Sequence, residues 1–177
     1  MSTAVLSIGS NVGDSVGHLR TVVESLGSRL VAASSIYRTA PWGGVDQADF
    51  HNGVVIARDT GAEPRDWLQL AVDLERRAER VRVTRWGPRT LDVDVITCDD
   101  VRSDDPELTL PHPRAHLRAF VLIPWLEVQP DAALPVDGRD VAIAQLLTEL
   151  PEADRDSVVR TDDGWTAPTV PDPVRGS

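Results

Sequence analysis

The chain has 177 residues, which suits one domain with a substantial core, and its 41% apolar and 26% charged content is ordinary for a globular protein. A formal net charge of -10 argues against non-specific attraction to nucleic acid or anionic membrane, so phosphate chemistry here would need a local cluster of cations. Cys98 is the only cysteine, which excludes an intrachain disulfide and disfavours a thiolate metal site. Met1–Leu6 lacks a basic region leading into a long apolar one, and no apolar run is long enough to span a bilayer, so a cytoplasmic protein is expected.

Thr3–Ile8 is an apolar run closed by Gly9-Ser10-Asn11, a strand and turn. Val16, Leu19, Val22, Val23, Leu26 and Leu30 follow at helical spacing, with Asp14 or Ser15 as N-cap. Leu30–Tyr37 reads as one second strand, Thr39–Asp49 as a long loop, and Gly53–Ala57 as a third strand. Pro64 suits the first turn of a second helix striped by Trp67, Ala71, Leu74 and Ala78. Alternation returns at Leu91, Val93 and Val95. A Pro-punctuated loop, a helical stretch near Arg118–Leu126 and a helix at Val141–Leu150 complete the pattern. The order strand, helix, strand, strand, helix, strand predicts an α+β fold with a ferredoxin-like βαββαβ core, C-terminal additions and an α/β sandwich arrangement. Residues 1–160 are taken as a single domain and 161–177 as a polar, Pro-containing, flexible tail.

Asp92-Val93-Asp94 is the first chemical signal. On a strand, residues two apart share a face, so both carboxylates project away from the core-facing Leu91, Val93 and Val95. Paired carboxylates repel unless a cation or proton intervenes, and hard oxygen donors suit Mg²⁺ with substrate phosphates. A solvated strand face would carry the same pattern, so the pair needs support from elsewhere. That support is basic: Arg76, Arg77, Arg80, Arg82, Arg85 and Arg89, six of the chain's 18 Lys and Arg, lie just before it. A guanidinium fork matches phosphate oxygens and can neutralise charge during phosphoryl transfer. A helix-end role suits Arg76 and Arg77, but not Arg89, which follows Trp86-Gly87-Pro88.

Aromatic residues form only 5% of the chain, and Trp42, Phe50, Trp86 and Phe120 all fall near loops or loop edges. Flat rings beside Gly and Pro can sandwich a planar heterocycle, and Asn52 could read its edge, although each alone also fits packing or a turn. His112 sits in the rigid Leu110-Pro111-His112-Pro113 run, within reach of a phosphate or nucleotide. Zinc spacing, a P-loop and a G-x-S-x-G elbow are all missing from the sequence.

Taken together, Arg80-Val81-Arg82 and Arg85-Trp86-Gly87-Pro88-Arg89-Thr90-Leu91-Asp92-Val93-Asp94-Val95 resemble the signature of the 6-hydroxymethyl-7,8-dihydropterin pyrophosphokinase family. Ile8-Gly9-Ser10-Asn11, Ser35–Pro41, Gln47–Asn52, Leu110–Pro113 and Arg118-Ala119-Phe120 match in the same order. The resemblance implies pyrophosphoryl transfer from ATP to 6-hydroxymethyl-7,8-dihydropterin, in tetrahydrofolate biosynthesis, by a monomer using two Mg²⁺ ions. By the same resemblance, Asp92 and Asp94 hold the metals, while Arg80 and Arg89 stabilise the transferring group, with Arg82 as auxiliary. Glu75, His112 and Arg118 line the nucleotide site, and Trp86 rides a mobile loop over it. Asn52 reads the pterin amide, Phe50 and Phe120 stack on its ring, and Thr39, Pro41 and Trp42 form a contacting loop. The sequence departs from the family pattern at Phe50, Pro113 and Val83, and it is one residue shorter between Glu75 and Trp86 than some members.

Two other functions share parts of this set. A Mg²⁺-dependent nucleotide hydrolase would use the aspartates and arginines without an aromatic slot. A non-catalytic pterin- or nucleotide-binding module would bind without turnover.

Overall fold

A computed structural model describes residues 1–41, 47–80 and 90–166, with the side chain of Arg80 left out. Its main sheet is wholly antiparallel. It contains β1 (Ser2–Ser10), β2 (Leu30–Ala33), β3 (Tyr37–Thr39), β4 (Phe50–Asp59), β5 (Asp92–Cys98) and β10 (Val158–Arg160). The order is β10-β3-β4-β1-β5, with β2 also on β4. Helix α1 (Ser15–Leu26) connects β1 to β2, and α2 (Pro64–Arg80) connects β4 to β5. Each crossover skips a strand, so the two β-α-β units interleave, giving the α+β arrangement expected from the element order.

Local chemistry sets the helix limits. The Asp14 carboxylate accepts the Gly17 N–H at 3.0 Å, capping α1, and Gly27 ends it at φ 53°. Asp66 accepts the Glu63 N–H at 2.7 Å at the start of α2, with Pro64 in its first turn. The predicted stripe Trp67, Ala71, Leu74 and Ala78 is buried, joining Leu19, Val22 and Leu26 of α1 against Ala4, Leu6, Ile8, Val55 and Val93. Trp67 also donates its indole N–H to Ser2 Oγ at 2.8 Å. Truncating Trp67 to Ala would cost about 3–5 kcal/mol through the cavity it would leave behind.

The opposite face of the sheet carries a second core. Val5, Val54, Ile56 and Ile96 pack beneath Val121, Leu122 and Trp125 of α3 (Ala119–Val128). Helix α4 (Ile143–Glu149) adds Ile143 and Leu146. The short α5 (Glu152–Asp156) leads into β10. Strand β5 serves both layers through a bulge: Leu6 faces Val95, yet the adjoining Val5 faces Thr97, so one extra residue is taken up there.

Several elements differ from the sequence expectations. The single strand expected over Leu30–Tyr37 is two strands, interrupted at Ser34-Ser35-Ile36. Distant groups occupy the backbone there: Glu127 Oε1 accepts the Ser35 N–H at 3.0 Å, and Trp165 donates to Ser34 O at 2.7 Å. Val141 belongs to a hairpin of β8 (Ala133–Val136) and β9 (Arg139–Ala142), so the last predicted helix begins two residues later. A second hairpin joins β6 (Ser103–Asp105) to β7 (Leu108–Leu110). No helix among the described residues is long and apolar enough to cross a membrane.

Candidate active site

Helix α3 covers only part of its side of the sheet. Beyond its N-terminus the same face of β1, β4 and β5 lies open, and there the side chains change from apolar to polar. In one row Val54 faces Ser7 and Ser7 faces Asp94; in the next, Asn52 faces Gly9 and Gly9 faces Asp92. Ser7, Asp94, Asn52, Gly9 and Asp92 of these rows floor a cavity of about 390 Å³, walled by Thr39, Phe50, His112, Arg118 and Phe120. Asn52 and Asp92 stand two strands apart, about 10 Å across the sheet. Gly9 leaves the space between them open: a Cβ there would come within 3.1 Å of Asn52 Oδ1.

Each group is held by its neighbours. Asn52 is 4% exposed and donates through Nδ2 to Thr39 Oγ1 at 2.8 Å. That bond fixes the amide orientation and leaves Oδ1 beside the Gly9 gap. Arg118 lies 3.5 Å from Asp94 Oδ2 and 5.6 Å from the centre of the Phe120 ring. One guanidinium thus faces both a carboxylate and an aromatic face. With Asp94 still 43% exposed, this ion pair is screened and leaves carboxylate surface open to the cavity.

His112 follows a cis Leu110–Pro111 bond, and its backbone N–H donates to Ile96 O at 2.8 Å, tying the loop to β5. Its Nδ1 accepts the Arg114 N–H at 3.2 Å, so the neutral ring carries its proton on Nε2. Burial pushes this imidazole below its ordinary pKa; the Asp94 charge opposes that, and Arg118 and Arg114 reinforce it. His112 therefore lines the cavity as a neutral imidazole with its proton on Nε2. Cys98 is buried in the other layer with its thiol pushed up by burial, which makes it a poor nucleophile.

The predicted residues Thr39, Phe50, Asn52, Asp92, Asp94, His112, Arg118 and Phe120 line this one cavity. Glu75 does not line it; from α2 its Oε1 accepts the Val93 N–H at 2.8 Å, at the strand residue between the two aspartates. Pro41 borders the loop after Thr39 without lining the cavity. Arg80 closes α2, its side chain outside the described residues, as are Trp42, Arg82, Trp86 and Arg89. Sequence reasoning assigned no role to Ser7, Ile8, Gly9 or Ala40, which also line the cavity. The quoted Ile8-Gly9 pair carried the signal, since a glycine ending an apolar strand marks a close approach.

Asp92 and Asp94 offer hard oxygen donors on one face, and no cluster of three or more metal-ligating side chains occurs among the described residues. Two carboxylates that leave the remaining positions to water and phosphate fit a Mg²⁺-type ion.

The family model for 7,8-dihydro-6-hydroxymethylpterin-pyrophosphokinase matches residues 5–130. The chain is 53% identical over 167 residues to the 2-amino-4-hydroxy-6-hydroxymethyldihydropteridine pyrophosphokinase of Mycobacterium tuberculosis, covering 89% of each chain. It is 41% identical to the namesake from Methylorubrum extorquens, covering 82% of this chain and 94% of the other. Among solved structures, Plasmodium falciparum HPPK-DHPS with pterin and p-hydrobenzoate aligns with a TM-score of 0.62 at 12% identity, a likeness of fold alone. The alignment covers 90% of this chain and 47% of that one, so this chain spans less than half of the solved protein's length. A match that runs through all three strands bearing the polar rows, with 53% identity over 89% of a relative's length, settles the kinship: the chain belongs to the 7,8-dihydro-6-hydroxymethylpterin-pyrophosphokinase family.

Proposed function

We propose that this protein transfers the pyrophosphoryl group of ATP to the hydroxymethyl oxygen of 6-hydroxymethyl-7,8-dihydropterin, releasing AMP, as a step of tetrahydrofolate biosynthesis. The observation that carries this reading is the convergence of Asn52, Asp92 and Asp94 on one cavity flanked by Phe50 and Phe120. A flat bicyclic ring fits between two aromatic side chains, and a buried amide fixed by Thr39 can read its polar edge. A nucleotide hydrolase has no need of such a slot, and a binding module has no need of the paired carboxylates.

Each described group then has a task. Asn52 and the two phenylalanines orient the pterin so that its hydroxymethyl group lies toward β5. Asp92 and Asp94 would hold two Mg²⁺ ions, whose charge, when bound, offsets that of the triphosphate. Arg118 and His112, which line the same cavity, would serve the phosphates as donors. The pterin oxygen forms its bond to the β-phosphorus as the bond from that phosphorus to the α,β-bridging oxygen breaks. AMP leaves with that oxygen, and the hydroxyl proton passes to Asp94 or to water. Positioning and charge neutralisation carry the rate. Arg80, Arg82 and Arg89 supply further positive charge to the transferring group, Glu75 and Trp86 belong to the nucleotide side, and Pro41 and Trp42 to the pterin side. The protein acts as a cytoplasmic monomer, with residues 1–160 as one pyrophosphokinase domain against which Thr161–Trp165, expected as the start of a flexible tail, also pack.

The test is an assay of AMP release with ATP, Mg²⁺ and 6-hydroxymethyl-7,8-dihydropterin. AMP should appear only when the pterin is present. Release of ADP, or of AMP without the pterin, would replace this reading with hydrolysis.

A further inference from the structure

The residues after β10 do not simply leave the domain. Thr161 donates both its N–H and its hydroxyl to Ile36 O, at 2.9 Å each. Arg20 Nε reaches from α1 to Gly164 O at 2.8 Å. Trp165 then lays its indole against the sheet beside Gly53 and donates its N–H to Ser34 O at 2.7 Å. A Cβ at Gly53 would lie 2.9 Å from Trp165 Cη2, so the ring rests against the bare backbone of β4.

That backbone belongs to the neighbour of Asn52, with the ring on the face away from the cavity. The other support of Asn52 is Thr39 Oγ1, on a strand of three residues held between β4 and β10. So short a strand has little stability of its own. The C-terminal segment therefore braces both the strand that carries Asn52 and the strand that carries its hydrogen-bond partner.

We propose that the segment Val158–Trp165 is a clasp that sets the orientation of the pterin-reading amide, with Trp165 as a positioning residue acting through Gly53, Ser34 and Thr39 on Asn52. This rests on the assignment of Asn52 to the pterin. It predicts a selective effect, because Asp92 and Asp94 lie on β5, the far edge of the sheet, and do not depend on the clasp.

The experiment is steady-state kinetics on the full chain, with the KM for each substrate measured separately. Asn52→Ala is the reference and should raise the pterin KM. Trp165→Ala should raise the pterin KM about 10-fold, leaving kcat and the ATP KM within about twofold. Trp165→Phe keeps a ring but loses the bond to Ser34 O, and should give about a threefold rise. Gly53→Ala should resemble Trp165→Ala, and the double variant should be no worse than Trp165→Ala alone, since removing the ring makes room for the new methyl group. If Asn52→Ala raises the pterin KM but Trp165→Ala does not, or if Trp165→Ala raises both KM values equally, the clasp is refuted. If Asn52→Ala itself leaves the pterin KM unchanged, the pterin assignment fails first and the clasp fails with it.

Discussion

The same three strands present two different surfaces on one side of the sheet. Under α3, the side chains of β1, β4 and β5 are Val5, Ile56 and Ile96, all buried. Beyond the start of α3 they are Ser7, Asn52, Asp92 and Asp94 around a cavity. Backbone pairing continues unbroken from one region to the other along β1 and β4. What separates core from site is therefore the end of a helix, and stability and chemistry should be separable by mutation.

The sharpest division comes from the carboxylates. Asp92→Ala and Asp94→Ala should each lower turnover by about 10³-fold or more, the scale of losing a group that serves the transition state. Their thermal midpoints should stay near that of the parent. Near-normal turnover of both variants at saturating Mg²⁺ would dissolve the distinction between the two regions. Under the helix the pattern reverses. Leu122→Ala should cost about 2–5 kcal/mol in denaturant unfolding, with KM and kcat of the folded fraction unchanged. Phe120 lies on the boundary: Phe120→Leu should raise the pterin KM about 10-fold with only a small loss of stability, because it removes one wall of the slot.

The smallest effect concerns pH and lies away from the cavity. Burial works to raise the Glu127 carboxyl, but hydrogen bonds from Tyr37 and Ser35 outweigh it and hold the pKa below the usual value. Stability from this group is present above the ordinary carboxylate range and is lost as pH falls through the lower folded value. Tyr37, its partner at 2.6 Å, is pushed up to about 12 by burial, then by the Glu127 hydrogen bond and charge. Its contribution holds below about pH 10 and disappears as pH rises through 12. Glu127→Gln should flatten both limbs of a stability–pH curve by about 1 kcal/mol each. Unchanged limbs would show that this pair does not tie α3 to β3.

The long elements were legible because their patterns are local. Leu91, Val93 and Val95 alternate, and Trp67, Ala71, Leu74 and Ala78 form a helical stripe; all seven are buried. The break between β2 and β3 was not legible, because Glu127 and Trp165, which hold it, lie far along the chain. The β8–β9 hairpin could have been read: Asp137-Gly138 has positive φ at both positions, the pair expected in a tight turn between strands. In the site, residue types that bear chemistry are legible directly, whereas Gly9 is not, because its contribution is an absent side chain. Composition predicts a flexible tail at Trp165; its packing against Gly53 depends on folded geometry that composition does not reveal.

The extra residue taken up by β5 near Ile96 has an implication for redesign. Alternation along a strand has a period of two, so shortening β5 by one residue at that point would invert one half relative to the other. Either Asp92 and Asp94 would turn into the apolar layer under α1 and α2, or Cys98 would turn out of it. The irregularity works as a phase adjuster: it lets one ribbon of chain keep an acidic reading frame at one end and an oily one at the other. Attempts to idealise this sheet should disarm the enzyme even where they make the fold more regular.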